Sequence, residues 1–264
     1  MNFNAVRASV RMSAGAAVSA LALGASSAFA ENATNELVKA ESSANQPSLA
    51  AGTFYRSMKI ERGMVENKES VFGYEAEIAW RGFFAEVEAC YDMTDVNGRR
   101  GRYNEIESAA GYELSLGDFT GKAAYVYKAC GGDEPDTQEV ELEMEYETPW
   151  FTPFVECNLD IDDKAGALYG AAGLSRGWEF SDWAKVNAYA GIGAGNAYRN
   201  RTDFGADKIA LRDMHVGAEL EIELCPHVKL VPGVDLYDQF TSQGRHEYHE
   251  GFVAVGGVKL VAEF

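Results

Sequence analysis

The sequence predicts an all-β fold: a transmembrane antiparallel up-and-down β-barrel of about twelve strands behind a cleaved signal peptide. Three observations predict it. The chain opens on an export segment, apolar and polar residues alternate with period two through nearly all that follows, and aromatic residues gather at the ends of the alternating segments.

The export segment is residues 1–30. It carries Arg7 and Arg11, continues from Met12 in Ala, Leu, Val, Gly and Ser, and ends Ala28-Phe29-Ala30, a small-x-small pattern that places cleavage after Ala30. A membrane-spanning helix fits poorly, because so much of the stretch is Ala, Gly and Ser. Removing it takes two of the 23 Lys and Arg residues and none of the 41 Asp and Glu residues, so the mature chain is strongly acidic. That balance argues against nucleic acid as a partner, since phosphate neutralisation needs clustered Lys and Arg, and it suits cations or a hydrated surface. Nothing after residue 30 provides the long charge-free run of a membrane helix, so any span must be β. Cys90, Cys130, Cys157 and Cys225 form no C-x-x-C pattern. Export permits disulfides, but a chain this long does not need them, and the four read as small half-buried residues with no pairing assigned. No motif calls for a cofactor.

Residues 31–51 are polar, hold one proline and no aromatics, and read as a flexible leader with a short helical turn around 35–41. The barrel is expected over 52–264. In Glu139-Val140-Glu141-Leu142-Glu143-Met144-Glu145-Tyr146-Glu147 the glutamates take one face and the apolar residues the other, which only a strand can sort. Residues 70–81 put Phe72, Tyr74, Ala76, Ile78 and Trp80 opposite Glu75, Glu77 and Arg81, and 83–92 repeat the pattern with Glu86 and Glu88. Further strands are expected near 53–62, 103–114, 119–130, 150–162, 165–175, 183–194, 209–224, 227–238 and 252–264. Many reach the roughly 9–11 residues of a tilted spanning strand, against about 5–6 in soluble sheets. The connections alternate between tight turns, such as Arg81-Gly82 and Cys225-Pro226, and longer polar loops, such as 93–101, 195–208 and 239–251.

Size settles which face points inward. Twelve tilted strands close to a cylinder roughly 24 Å across. Ala85, Ala89, Ala110, Ala123, Gly170, Ala172, Ala188 and Ala190 on the apolar face are too small to fill that interior, but they can face lipid. On the same face Trp80, Phe83, Tyr112, Phe119, Tyr146, Phe151 and Phe264 sit beside the tight turns or the C-terminus, and Tyr91, Tyr127 and Phe252 near the other end, as interfacial girdles do. A soluble periplasmic β protein, the alternative, has no reason to sort aromatics by depth.

The signal peptide, the strand ladder and the alternation into a terminal aromatic through Val258, Leu260, Ala262 and Phe264 resemble the small porin-like outer-membrane β-barrel proteins of Gram-negative bacteria. The likeness covers nearly all of the mature chain and is architectural. Where that family carries glycine five residues before the last aromatic, this chain has Lys259, with Gly256 and Gly257 nearby. The resemblance implies residence in the outer membrane, a periplasmic leader and insertion by the barrel assembly machinery, with Val258, Leu260, Ala262 and Phe264 as the assembly signal.

With the apolar face on lipid, the lumen holds Glu75, Glu77, Glu86, Glu88, Glu105, Glu107, Glu139, Glu141, Glu143, Glu145, Glu219 and Glu221, with other carboxylates, against Arg81, Lys122, Lys128, Lys185 and Lys229. So many carboxylates demand water, and acidic walls make a pore favour cations. The expected function is a passive water-filled channel for cations or small polar solutes. The alternative is a structural or anchoring barrel whose lumen is plugged. A barrel enzyme would need a nucleophile and histidine together on the outward face, and no such pair is present, so no catalytic role is expected. His215 reads as a hydrogen-bonded wall residue. His246 and His249, three apart among carboxylates, are weak candidates for a divalent metal, and Asp160-Ile161-Asp162-Asp163 lacks the glycine and distal glutamate of a calcium loop. Arg99, Arg100, Arg102, Arg199 and Arg201 fall in longer loops, where arginine could meet lipopolysaccharide phosphates. An apolar outer face meets lipid or a neighbouring copy equally well, so a homo-oligomer is possible on this sequence.

Overall fold

The computed structural model describes residues 46–240, apart from 96, 97, 99, 133 and 134, together with 252–264. The export segment, most of the leader, Arg99 and the loop bearing His246 and His249 lie outside the described residues.

Twelve antiparallel strands close into a barrel: β1 (Ser48–Arg56), β4 (Val71–Trp80), β5 (Phe83–Asp92), β6 (Tyr103–Leu116), β7 (Phe119–Cys130), β8 (Thr137–Tyr146), β9 (Thr152–Asp160), β10 (Leu168–Ser181), β11 (Ala184–Gly195), β12 (Ala210–Cys225), β13 (Val228–Gln239) and β14 (Phe252–Glu263). Each pairs with its neighbours in sequence, and β1 closes the ring on β14, with Ala51 opposite Ala262 and Thr53 opposite Leu260. The strand count and the up-and-down order are those the alternation predicts. Tight turns, the start of β1 and Phe264 lie at one rim, the turn end. The longer connections leave from the other, the loop end.

The apolar phase points outward. Tyr74, Ile78, Val87, Leu142, Met144, Val155, Val216 and Leu260 are all exposed on it, a continuous apolar belt that water cannot solvate cheaply and a bilayer can. All four tryptophans stand at the turn end: Trp80, Trp150, Trp178 and Trp183 are exposed there with Phe83, Phe180 and Phe264. Closure leaves no unpaired edge in lipid, and the girdle fixes the depth of the barrel. This is a transmembrane barrel of the outer-membrane type.

Inside, large side chains interlock with glycines. Phe54 stands opposite Gly73, Phe84 opposite Gly111, Phe154 opposite Gly173 and Tyr189 opposite Gly217. A Cβ on any of these glycines would collide with the ring facing it, so glycine is what lets each ring cover the wall.

Two segments depart from the sequence reading. The strand expected over 53–62 starts earlier, at Ser48, and ends at Arg56. The alternating residues after it form a separate hairpin, β2 (Lys59–Glu61) and β3 (Met64–Asn67), paired only with each other. Its two-residue turn, Arg62-Gly63, has φ of 48° and 76°, the left-handed pair that makes a tight hairpin. The second departure lies in the 196–209 loop, which contains a helix, α1 (Ala197–Phe204). Asn196 caps it by accepting from the Arg199 N–H, and Gly205 ends it at φ 68°.

Candidate functional site

The site is the barrel interior, and the hairpin divides it. β8 stands five strands from β1 one way round the ring and seven the other, so it is almost opposite. The hairpin leaves β1 at the loop end and turns into the lumen. Its base packs Ile60 and Val65 against Tyr237 and Val255 of β13 and β14. Its tip reaches β8, where the Arg62 guanidinium donates to both oxygens of Glu139 at 2.6 Å and to Glu141 at 3.1 Å. The backbone of the turn is held as well: Arg212 Nε donates to the Arg62 carbonyl at 3.2 Å, and Gln239 donates to the Gly63 carbonyl. Lys59 lies 2.7 Å from Glu105 on β6 and 2.7 Å from Glu66 on the hairpin itself, while Lys128 of β7 bonds Glu61 at 2.5 Å. With Asn67 donating to Asp92, one short hairpin therefore touches β5, β6, β7, β8, β12, β13 and β14.

A second layer lies over it. Arg199 of α1 approaches Glu139 at 3.7 Å and bonds Asp203 at 2.6 Å, and Asp203 bonds Arg212 at 2.7 Å. Burial opposes ionisation of Asp203, but Arg199 and Arg212, with Lys164, outweigh it and hold the carboxyl below its ordinary range. Between hairpin and wall remains a cavity of about 360 Å³, lined in part by Glu61, Glu66, Glu105, Lys128 and Asp160.

The predicted lumen carboxylates all take the inward phase of their strands. Glu75, Glu77, Glu139, Glu141, Glu143, Glu145 and Glu219 are buried, and Glu86, Glu88, Glu105, Glu107 and Glu221 half-buried. The cations around them differ from those the sequence suggested. Lys122 approaches Glu86 at 3.7 Å, Lys128 bonds Glu107 at 2.9 Å, and Lys185 and Lys229 approach Glu221 at 3.4 and 3.5 Å, as expected of lumen residues. Arg81, by contrast, sits in an exposed turn with its guanidinium over the outward Trp80 ring, 4.7 Å from the centroid. Sequence reasoning missed Arg56, Lys59, Arg62, Arg199, Arg212 and Lys259, all buried inside. Arg199 is thereby withdrawn from any contact with lipopolysaccharide, which corrects its assignment to an outer loop surface. The left-handed turn at Arg62-Gly63 was the available signal for the hairpin, and Asn196 with Gly205 that for the helix.

The charges are unevenly spread. Arg56, Lys59, Arg62, Lys128, Arg199 and Arg212 are all towards the loop end. Towards the turn end on the β4–β8 side, Glu77, Glu86, Glu113, Glu143 and Glu145 surround Lys122, beside an opening of about 340 Å³ that Glu77, Phe84, Glu113 and Lys122 line. His215 is a buried wall residue, its Nδ1 3.5 Å from Asp213 and its ring near Tyr189 and Tyr237. Among the described residues Glu61, Glu66 and Glu105 bring carboxylate oxygens together closely enough for a metal, but Lys59 already pairs with all three. Val258, Leu260 and Ala262 take the outward phase of β14, and Phe264 follows it, exposed at the rim.

No protein-family model matches the chain, and no curated protein matches its sequence. Solved structures do share its fold. The KdgM porin superposes with a TM-score of 0.50 at 10% identity, over 82% of this chain and 99% of that one. The NanC porin gives 0.48 at 11% identity, over 81% and 98%, and an outer membrane channel from Pseudomonas putida F1 gives 0.46 at 9%, over 83% and 95%.

Proposed function

We propose that this barrel is a narrow passive channel of the outer membrane that favours cations and small polar solutes. The observation that carries the reading is the charge of the turn-end interior, where Glu77, Glu86, Glu113, Glu143 and Glu145 gather around Lys122. Fixed carboxylates in a low-dielectric wall concentrate cations and repel anions, and a permeating ion meets this stretch whichever way it travels. The KdgM porin shares the fold, which makes transport a natural use of it. The exposed Arg201, and Arg100 and Arg102 in the loop after β5, suit phosphate groups of lipopolysaccharide in the outer leaflet.

A specific observation also favours the second reading, a structural barrel with a plugged lumen: the hairpin crosses the interior and its tip is buried. Single-channel recording of the refolded chain lacking residues 1–30, under a KCl gradient, separates the two. The channel reading expects steady conductance with a cation-preferring reversal potential. Insertion with no conductance at any voltage leaves the barrel and removes the channel.

A further inference from the structure

We infer that the hairpin is a gate closed by its own charges, with Arg62 and Lys59 acting as tethered counter-ions in the carboxylate positions that passing cations would otherwise use. The inference rests on the channel reading above and adds the part that controls it.

The argument begins with how the hairpin is held. It shares no strand pairing with the barrel wall. Beside the small apolar base at Ile60 and Val65, its attachments among the described residues include ion pairs and single hydrogen bonds: Arg62 to Glu139 and Glu141, Lys59 to Glu105, Lys128 to Glu61, Arg212 to the Arg62 carbonyl, Gln239 to the Gly63 carbonyl and Asn67 to Asp92 at 2.5 Å. Such attachments exchange readily for hydration, because a buried ion pair gains little over the same charges in water. A plug seated by a ladder or a broad apolar face would be permanent. This one is seated mainly by contacts that water and mobile ions can replace.

The hairpin is also placed to swing. Its limbs join β1 and β4, which pair with each other, so both pivots lie at one point on the rim. Ser57 marks one pivot, its N–H donating to the Gly256 carbonyl at 2.8 Å and its hydroxyl accepting from the Gly256 N–H at 3.0 Å. The tip lies across the lumen on β8. Rotation about the rim, with release of the Arg212 and Gln239 bonds to the turn, withdraws Arg62 from Glu139 and Glu141 without breaking a barrel pair. A small inorganic or organic cation entering the lumen competes with Arg62 and Lys59 for the same carboxylates, so the ions that the acidic wall attracts are also those that displace the gate.

The test uses the protein purified from outer membranes and inserted into planar bilayers in KCl. The wild type is compared with Lys59→Gln/Arg62→Gln, with a chain in which 58–68 are replaced by an Asn-Gly turn, and with Lys208→Gln as a control on an exposed loop. The gate expects a several-fold higher mean conductance with fewer closures in the first two variants, and the control unchanged. The excised chain carries the comparison if the double substitution fails to insert. Equal conductance and closure statistics in wild type and excised chain overturn the gate and leave the pore. Silence from every chain, with insertion shown by heat-modifiable migration, overturns the channel itself.

Discussion

The two ends of the lumen are built from the same strands, yet among the described residues the connections fold inward at one end and not at the other. At the loop end Glu61, Glu105, Glu107, Glu139 and Asp203 are met by cations on a connection or a neighbouring strand: Arg62 and Lys59 on the hairpin, Arg199 on α1, Lys128 on β7 and Arg212 on β12. At the turn end the connections are too short to fold inward, and the cations come from the wall itself: Lys122 beside Glu86, and Lys185 and Lys229 beside Glu221. Loop length thus decides which carboxylates are tied to a residue that folds in from outside the wall.

That contrast breaks most visibly if the same substitution is made at both ends. Glu139→Gln with Glu141→Gln takes two carboxylates from the buried Arg62 and leaves it Glu61 at 3.4 Å, a loss of about 3 kcal/mol. The expected result is an earlier heat transition and more open time. Glu143→Gln with Glu145→Gln, four residues further along the same strand, should move the reversal potential towards zero and alter heat resistance far less. Interchangeable behaviour of the two pairs in both measurements would end the distinction between structural and functional carboxylates.

The scaffold beneath the charges does not share this asymmetry, which yields a second, smaller test. Phe54 covers Gly73 nearer the loop end and carries Arg56 over its ring, 4.3 Å from the centroid. Phe84 covers Gly111 nearer the turn end and carries Lys122 at 4.5 Å. An added methyl at either glycine meets the ring and a neighbouring carbonyl, so Gly73→Ala and Gly111→Ala should each cost about 1–3 kcal/mol, the usual penalty of overpacking. Equal losses in thermal unfolding would confirm that the interlocking is a property of the whole wall. A loss at one end alone would tie it to the plug.

What could be read from the sequence follows the same division. The alternation around Glu139 to Glu147 and the aromatics beside the tight turns specify strands, faces and depth, because a period of two and an interface preference are local signals. The inward phase of Glu75, Glu77 and Glu219 follows from them. The cations were harder. Met58-Lys59-Ile60-Glu61 alternates like any strand and reads as a continuation of β1, although it belongs to a hairpin whose partners lie on the far wall. Arg199 sits in a polar loop and gives no sign that it will be buried against Glu139. In each case the side chain's place is set by a long-range contact that neither period nor composition encodes.

The smallest predicted effect concerns the lock above the hairpin. Asp203 has its carboxyl depressed in the folded protein, so the stabilisation it gives is present above the ordinary aspartate range and is lost as pH falls through the depressed value. Protonation removes the acceptor of Arg199 and Arg212 together and should loosen α1, whose other ties to the barrel include the Asn196 N–H bond to the Leu168 carbonyl and the Asn200 amide bond to the Gly195 carbonyl. Amide hydrogen exchange over 197–204, followed from neutral pH to about pH 3 and corrected for intrinsic rates, should rise a few-fold in the wild type. In Asp203→Asn it should be raised at neutral pH already and change little on acidification. Because the helix rests on Glu139 through Arg199, channel closures should shorten over the same pH range. A flat exchange profile in the wild type would mean that the helix is held by its cap and backbone alone, and that the loop end is closed by the hairpin without help from above.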